Sequence, residues 1–192
     1  MGDSKTRGSS RRAHSVRHRA ASPGALAPDM VLVRVVLVFT ATYAALQALV
    51  WFMGSMGWLE PTLAYTASLT GWCSRLTGVP AVVSGTEVAL ATRILRIDPQ
   101  CTAVSLAMLY AALVVAYPLG LRQKLVALGV GLPVLFAANL GRLTAVAHLS
   151  GLLDDDGFMF VHDYLFMIAM MAVVIGLWVF FLAWARRRVS AR

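Results

Sequence analysis

Arg96-Ile97-Asp98-Pro99-Gln100-Cys101-Thr102-Ala103-Val104-Ser105-Leu106 is the stretch on which the reading of this chain turns. A polar, proline-interrupted run ends here, and an apolar run that continues to Gly120 begins. Cys101 stands at the joint, where a membrane helix would leave water for lipid. Two later joints of the same kind carry Arg142, near the end of one apolar run, and His162, at the start of the next. A thiol, a guanidinium and an imidazole at three helix ends make one nucleophilic site only if the three ends share a leaflet. Topology decides that.

Composition points to the membrane. The chain is 59% hydrophobic and 14% charged, with a mean hydropathy of +0.72, whereas soluble domains carry about a quarter charged residues. The formal net charge of +8 would suit nucleic acid if the basic residues formed a surface stripe. They cluster instead in the N-terminal tail and at the ends of apolar runs, a pattern of membrane topology that argues against a nucleic-acid partner. Two cysteines make no disulfide framework. No metal-ligand spacing, phosphate loop or repeat is present, so neither a metal nor a cofactor is expected.

Around the central stretch the chain divides readily. Residues 1–29 are rich in Arg, Ser, Ala and Pro and too poor in apolar side chains to repay ordering, so a disordered basic tail is expected. The run Met30–Met53 is too long for a signal core and lacks a cleavage site, which favours a retained first membrane helix, with Arg34 snorkelling near its start. Residues 54–61 break it. Residues 62–77 mix Leu63, Tyr65, Leu69, Trp72 and Leu76 with Thr, Ser and Arg75, as a short interfacial helix would, with Trp72 at headgroup depth. Gly78-Val79-Pro80 ends it. Ala81-Val82-Val83 and Val88-Ala89-Leu90 flank Ser84-Gly85-Thr86-Glu87, a hairpin pattern, and Thr92–Ile97 reads as a further extended piece.

Three more apolar runs follow, Thr102–Gly120, Leu125–Leu149 and Tyr164–Trp184, each near the ~20 residues that cross ~30 Å of hydrocarbon. The fold class expected is an all-α polytopic membrane protein of about four transmembrane helices, with a small outer interfacial helix and a β-hairpin. The membrane domain spans 30–185, and 186–192 form a basic tail. The link with Arg122 and Lys124 is basic, the link 150–161 carries Asp154-Asp155-Asp156, and the chain ends in Arg186-Arg187-Arg188 and Arg192. The positive-inside rule then places both termini and the 121–124 link in the cytoplasm, in a cell membrane, and 54–101 and the acidic link outside. Counting from Lys124, Arg142 lies about 27 Å up its helix, at the outer boundary. Cys101, Arg142 and His162 therefore share a depth.

Each residue also has an ordinary reading. A lone cysteine at a helix end serves as a small buried hydrophobe, and Arg142 could snorkel. An arginine at mid-span is nevertheless disfavoured by ~2.5–3.5 kcal/mol, and such residues face the bundle or a polar cavity. Asn139, three residues earlier, shares its face as a supporting residue. Asp163 is expected to support the site as an N-terminal cap, at the positive end of the last helix. His148 reads as interfacial and Asp154–Asp156 as a solvated loop. A Cys73–Cys101 disulfide outside the membrane is possible, although Cys73, beside Trp72 on the apolar side, reads better as a buried free thiol.

Gln100-Cys101-Thr102-Ala103 at the outer start of a helix, Asn139-Leu140-Gly141-Arg142 near the end of the next and Phe160-Val161-His162-Asp163 opening the last resemble the exosortase/archaeosortase family. So does the segment around Leu76-Thr77-Gly78-Val79-Pro80. The resemblance covers roughly residues 30–185, and Ala103 stands where members usually carry glycine. It implies an integral-membrane, sortase-like cysteine transpeptidase or peptidase with Cys101, Arg142 and His162 as catalytic residues. Its substrates would be secreted proteins ending in a recognition motif, a transmembrane helix and a basic end, processed at the outer face.

The residue types suit such chemistry. A thiol's pKa falls at helix N-termini and beside cations, so Cys101 is expected to ionise easily. It would attack a peptide carbonyl, Arg142 would stabilise the thiolate or the oxyanion, and His162 would handle the amine's proton. The rival reading is a non-enzymatic transport or assembly subunit with Asn139, Arg142 and His162 as a polar relay. That relay would not need Cys101.

Overall fold

The computed structural model describes residues 28–190, with side chains over 29–187. The tail reading for 1–29 falls, except for Pro28 and Asp29, outside the described residues, as does Arg192. The described chain is mostly helical with one small sheet, in the order α1 (Pro28–Ser55), α2 (Glu60–Leu76), β1 (Ala81–Ser84), β2 (Glu87–Leu90), β3 (Ile94–Arg96), α3 (Val104–Ala116), α4 (Leu121–Leu149), α5 (Asp155–Met159), a π-helical turn (Phe160–Leu165) and α6 (Phe166–Ser190).

Three helices are long and apolar enough to cross a membrane: Asp29–Ser55, Leu121–Leu149 and the continuous helix Asp155–Arg187. Their outer surfaces carry exposed Leu32, Leu37, Val130, Ile168 and Phe180, apolar area that lipid would cover. The expectation of about four spans is met by these three and one shorter apolar helix. α3 has 13 residues, about 20 Å at 1.5 Å per residue. Part of the apolar run is used at each end. Thr102 and Ala103 belong to the turn before the helix, and Tyr117 adopts an extended conformation (ψ 140°), as a residue preceding proline does.

The helices pack through a core of Tyr110 and Val114 from α3, Ala127 and Leu135 from α4, and Val174 and Phe181 from α6. Tyr110 is fully buried and donates its hydroxyl to the Ala127 carbonyl at 3.0 Å. α1 lies along α3. A second core joins α2, the sheet and α4 through Ala67, Ala81, Val88, Ile97 and Leu143, and it includes Cys101.

α2 packs on α4 and the sheet with its small polar face inward. Thr66, Thr70 and Ser74 are buried, and each hydroxyl donates to the carbonyl four residues back at 2.8 Å. Tyr65, Trp72 and Leu76 face outward. The expected hairpin is present, and β3 extends it to a three-stranded antiparallel sheet in the order β1-β2-β3. Gly85 in the β1–β2 turn has φ +57°, a conformation that suits glycine.

Candidate active site

Cys101 sits in the turn between β3 and α3, held by Asp98. One oxygen of the Asp98 carboxylate accepts the Gln100 and Cys101 backbone N–H groups at 2.8 and 2.9 Å. Thr102 closes the turn by donating its hydroxyl to the Pro99 carbonyl at 2.8 Å. The thiol is buried and rests 4.0 Å from the Arg96 carbonyl, as donor. Both cysteines are free, so the disulfide alternative is absent from this structure.

Asn139 links the turn to α4. It is 1% exposed, donates Nδ2–H to the Cys101 carbonyl at 2.9 Å and accepts from Arg142 Nη1 at 3.4 Å. The Arg142 Nε is buried without a hydrogen-bond partner. One orphaned guanidinium donor therefore remains next to the thiol turn.

His162 corrects the expected helix start. The helix begins seven residues earlier, at Asp155, where the Asp154 carboxylate accepts the Gly157 N–H at 3.0 Å. His162 lies inside the π-helical turn, whose wider pitch carries the Phe166 N–H to the Val161 carbonyl. Such turns recur inside α-helices at functional sites. Asp163 is accordingly no N-terminal cap: its carboxylate meets His162 Nδ1 at 2.8 Å. A carboxylate oxygen accepts, so Nδ1 is the donor in this contact and Nε2 is the ring nitrogen not engaged by Asp163.

The acidic link is more than a solvated loop. The Arg93 guanidinium pairs with Asp155 at 2.9 Å and donates to the Ser150 and Leu153 carbonyls at 3.2 and 3.0 Å. It also lies 4.4 Å from the centre of the Phe158 ring, which stacks on the His162 ring at 5.9 Å. The sheet thereby reaches the imidazole through one arginine and one phenylalanine.

The three residues singled out from sequence border one cavity of ≈ 550 Å³. Cys101, Arg142, His162, Asp98 and Asp163 line it, with Tyr43 of α1 and apolar side chains of α3 and α6. Asn139 stands behind it, bonded to Arg142 and to the thiol turn. His148 lies apart, its ring nitrogens on the Thr144 and Thr77 carbonyls, and Cys73 does not line the cavity. Among the described residues no cluster of His, Cys, Asp and Glu could hold a metal ion.

The electrostatics differ from expectation in one respect. Burial pushes the Cys101 thiol above its ordinary pKa, and the Asp98 carboxylate adds to the rise, while the Asp98 backbone and the Arg142 charge oppose it. The helix-end argument omitted the second core, which packs Ala67, Val88 and Leu143 in one cluster with the thiol and so disfavours its charged form. The resting group is a thiol.

Three contributors were not singled out from sequence. Asp98 had a signal, since Asp-Pro is a turn former three residues before the cysteine. Arg93 and Tyr43 had none, because their roles depend on packing between segments far apart in the chain.

No curated protein and no solved structure matches the chain. A protein-family model described as transmembrane exosortase matches residues 30–181, the segment that carries every residue of the cavity and most of each of the three spans. On that match over most of its length, the chain belongs to the transmembrane exosortase family.

Proposed function

We propose that this protein is a membrane-embedded cysteine transpeptidase or protease in which Cys101 is the nucleophile, Arg142 the oxyanion donor and His162 the proton carrier. The observation that carries the reading is that a thiol, a guanidinium and an imidazole from three separate elements line one cavity. On substrate binding the thiol proton passes to His162 Nε2, whose imidazolium is stabilised by Asp163 through Nδ1. The thiolate attacks the scissile carbonyl, forming the C–S bond, and the Arg142 guanidinium, which borders the cavity, donates to the developing oxyanion. His162 returns the proton to the departing amine as the C–N bond breaks. An incoming amine or water then attacks the thioester, losing its proton to His162 as the thiolate leaves.

The raised thiol pKa suits such a cycle. A thiol whose pKa is raised by burial carries little thiolate before it passes its proton to His162, which limits side reactions. The basic 121–124 link and C-terminal arginines against the acidic 150–161 link favour cytoplasmic termini and a site at the outer face of the cell membrane. Substrates in this reading are secreted proteins with a C-terminal motif, a transmembrane helix and a basic end, cut just above the helix.

The test is processing of a co-expressed protein bearing such a signal, read on gels from membranes with matched enzyme levels. Cys101→Ala should abolish processing and Cys73→Ala should preserve it. Arg142→Lys, which loses the planar donor fork, should slow it by about a hundred- to a thousand-fold. Wild-type processing by Cys101→Ala would overturn the proposal in favour of the transport-subunit reading.

A further inference from the structure

The sheet has an open edge that leads to the thiol. β3 pairs with β2 in the register Glu87↔Arg96, Val88↔Leu95, Ala89↔Ile94. The bonds Leu90 N–H to Arg93 C=O and Ile97 N–H to Thr86 C=O, both 2.8 Å, fix residues 93, 95 and 97 as the positions facing β2. In an antiparallel ladder the peptide groups of the intervening residues, Ile94 and Arg96, then point away from it. The Arg96 carbonyl is the group on which the Cys101 thiol rests. The unpaired edge therefore ends at the nucleophile.

A second cavity of ≈ 210 Å³ follows this edge along residues 94–98 and is closed by Leu143, Val146, Phe158 and Met159. It meets the larger cavity at Asp98, Cys101, His162 and Asp163, the residues that line both. A chain running from one cavity to the other must pass the thiol and the imidazole. The larger cavity presents Leu106, Leu109, Met167, Met170 and Met171, an apolar helical lining suited to a substrate's membrane helix. The smaller one offers free backbone groups and room for one apolar side chain, as strand addition requires.

We infer that the free edge of β3 is the subsite for the acyl side of the substrate, where an extended apolar peptide segment adds to the sheet as a fourth strand. The inference rests on the transpeptidase reading of Cys101. The scissile end must lie at the Arg96 carbonyl, so the upstream residues run back toward Ile94 and the added strand is parallel to β3. The substrate amide nearest the cut donates to the Arg96 carbonyl, displacing the thiol from its resting acceptor. The amide two residues upstream donates to the Ile94 carbonyl, and the amide between them points away.

Peptidyl chloromethyl ketones test this without a known substrate, because the thiolate displaces chloride and the adduct is read by intact-mass spectrometry. The protein is used whole, in phospholipid nanodiscs, with Cys73→Ala to leave one thiol. Acetyl-Val-Ala-Val chloromethyl ketone should alkylate Cys101 about tenfold faster than acetyl-Val chloromethyl ketone, and N-methylation of either valine amide should slow it about three- to tenfold, as loss of a hydrogen bond does. N-methylation of the alanine amide should leave the rate unchanged. Arg96→Pro, which removes an outward N–H that the ladder does not use and is tolerated in edge strands, should slow the tripeptide by a similar factor relative to Arg96→Ala. Methyl methanethiosulfonate should label both variants equally. Loss of the alternation among the methylated probes overturns strand addition even if Arg96→Pro fails to fold, and labelling by the small reagent then leaves the nucleophile standing. Failure of every reagent to label Cys101 removes the nucleophile, and the subsite with it.

Discussion

Replacing Asn139 by leucine isolates the link between Arg142 and the thiol-bearing turn. Leucine has the same branching and number of heavy atoms as asparagine but is bulkier, so the change opens no void and buries no new polar group, and the melting temperature reports any overpacking at this buried site. What it removes is the 2.9 Å bond to the Cys101 carbonyl and the 3.4 Å bond from Arg142. The second is too long to contribute much. The first leaves a carbonyl unsatisfied beside a fully buried side chain, at about 1–3 kcal/mol. If the bond holds the turn in its reactive arrangement, the same free energy appears in the barrier. At about 1.36 kcal/mol per decade this is roughly a 5- to 150-fold loss of rate. The assay is the processing rate of a signal-bearing secreted protein in membranes, with the melting temperature of the purified variant measured alongside. Asn139→Asp retains an acceptor for Arg142 but turns a lone pair toward the Cys101 carbonyl, and should do no better than leucine. A folded Asn139→Leu protein that processes substrate within twofold of the wild-type rate would refute the reasoning.

Asp98→Asn keeps an oxygen for the Gln100 and Cys101 amides and deletes the charge that opposes the thiolate. Since a raised pKa means that the folded thiol keeps its proton to higher pH, iodoacetamide labelling of the wild type should reach half its maximal rate above the pH found for free cysteine, and Asp98→Asn should bring that midpoint down. Gly131→Ala would place a Cβ 2.3 Å from the Tyr110 ring, which is buried and cannot retreat, so α3 and α4 should separate with a stability loss of about 1–3 kcal/mol in detergent melts. Arg93→Ala removes the cation over Phe158 and two bonds to the 150–153 carbonyls, and should lower stability by about 2–3 kcal/mol and slow processing. Asp155→Ala should change little, because that carboxylate is 94% exposed and surface pairs contribute little. Equal melting temperatures for the two variants would refute the stabilising role given to Arg93.

The membrane architecture was legible because lipid makes a blunt demand: long apolar runs, with basic and acidic links between them. The hairpin was legible because Gly85 punctuates two valine-rich runs. The length of α3 was overestimated because composition does not distinguish a helical apolar residue from one such as Thr102 or Leu119, which serve a turn and a connection. The start of the last helix was misplaced because Asp154-Asp155-Asp156 has the composition of a loop, while its helical role depends on Gly157 donating back to Asp154. The π-helical turn has no signature in the sequence. The drawing together of Cys101, Arg142 and His162 was expected from helix ends and depth alone. The resting state of the thiol was not, because its burial comes from α2 and the sheet, some ten to forty residues away in sequence.

The π-helical turn at Phe160–Leu165 also has a mechanical meaning. Threading the same residues as unbroken α-helix would rotate Asp155–Met159 by about one residue's angle, roughly 100°, relative to α6. Phe158 would then swing out from under Arg93, or α6 would have to roll its apolar surface away from the bilayer. The turn absorbs that phase difference, much as a vernier lets two scales be read against each other. The azimuth of the imidazole is set by the sheet, the seating of α6 is set by the lipid, and neither has to be in step with the other.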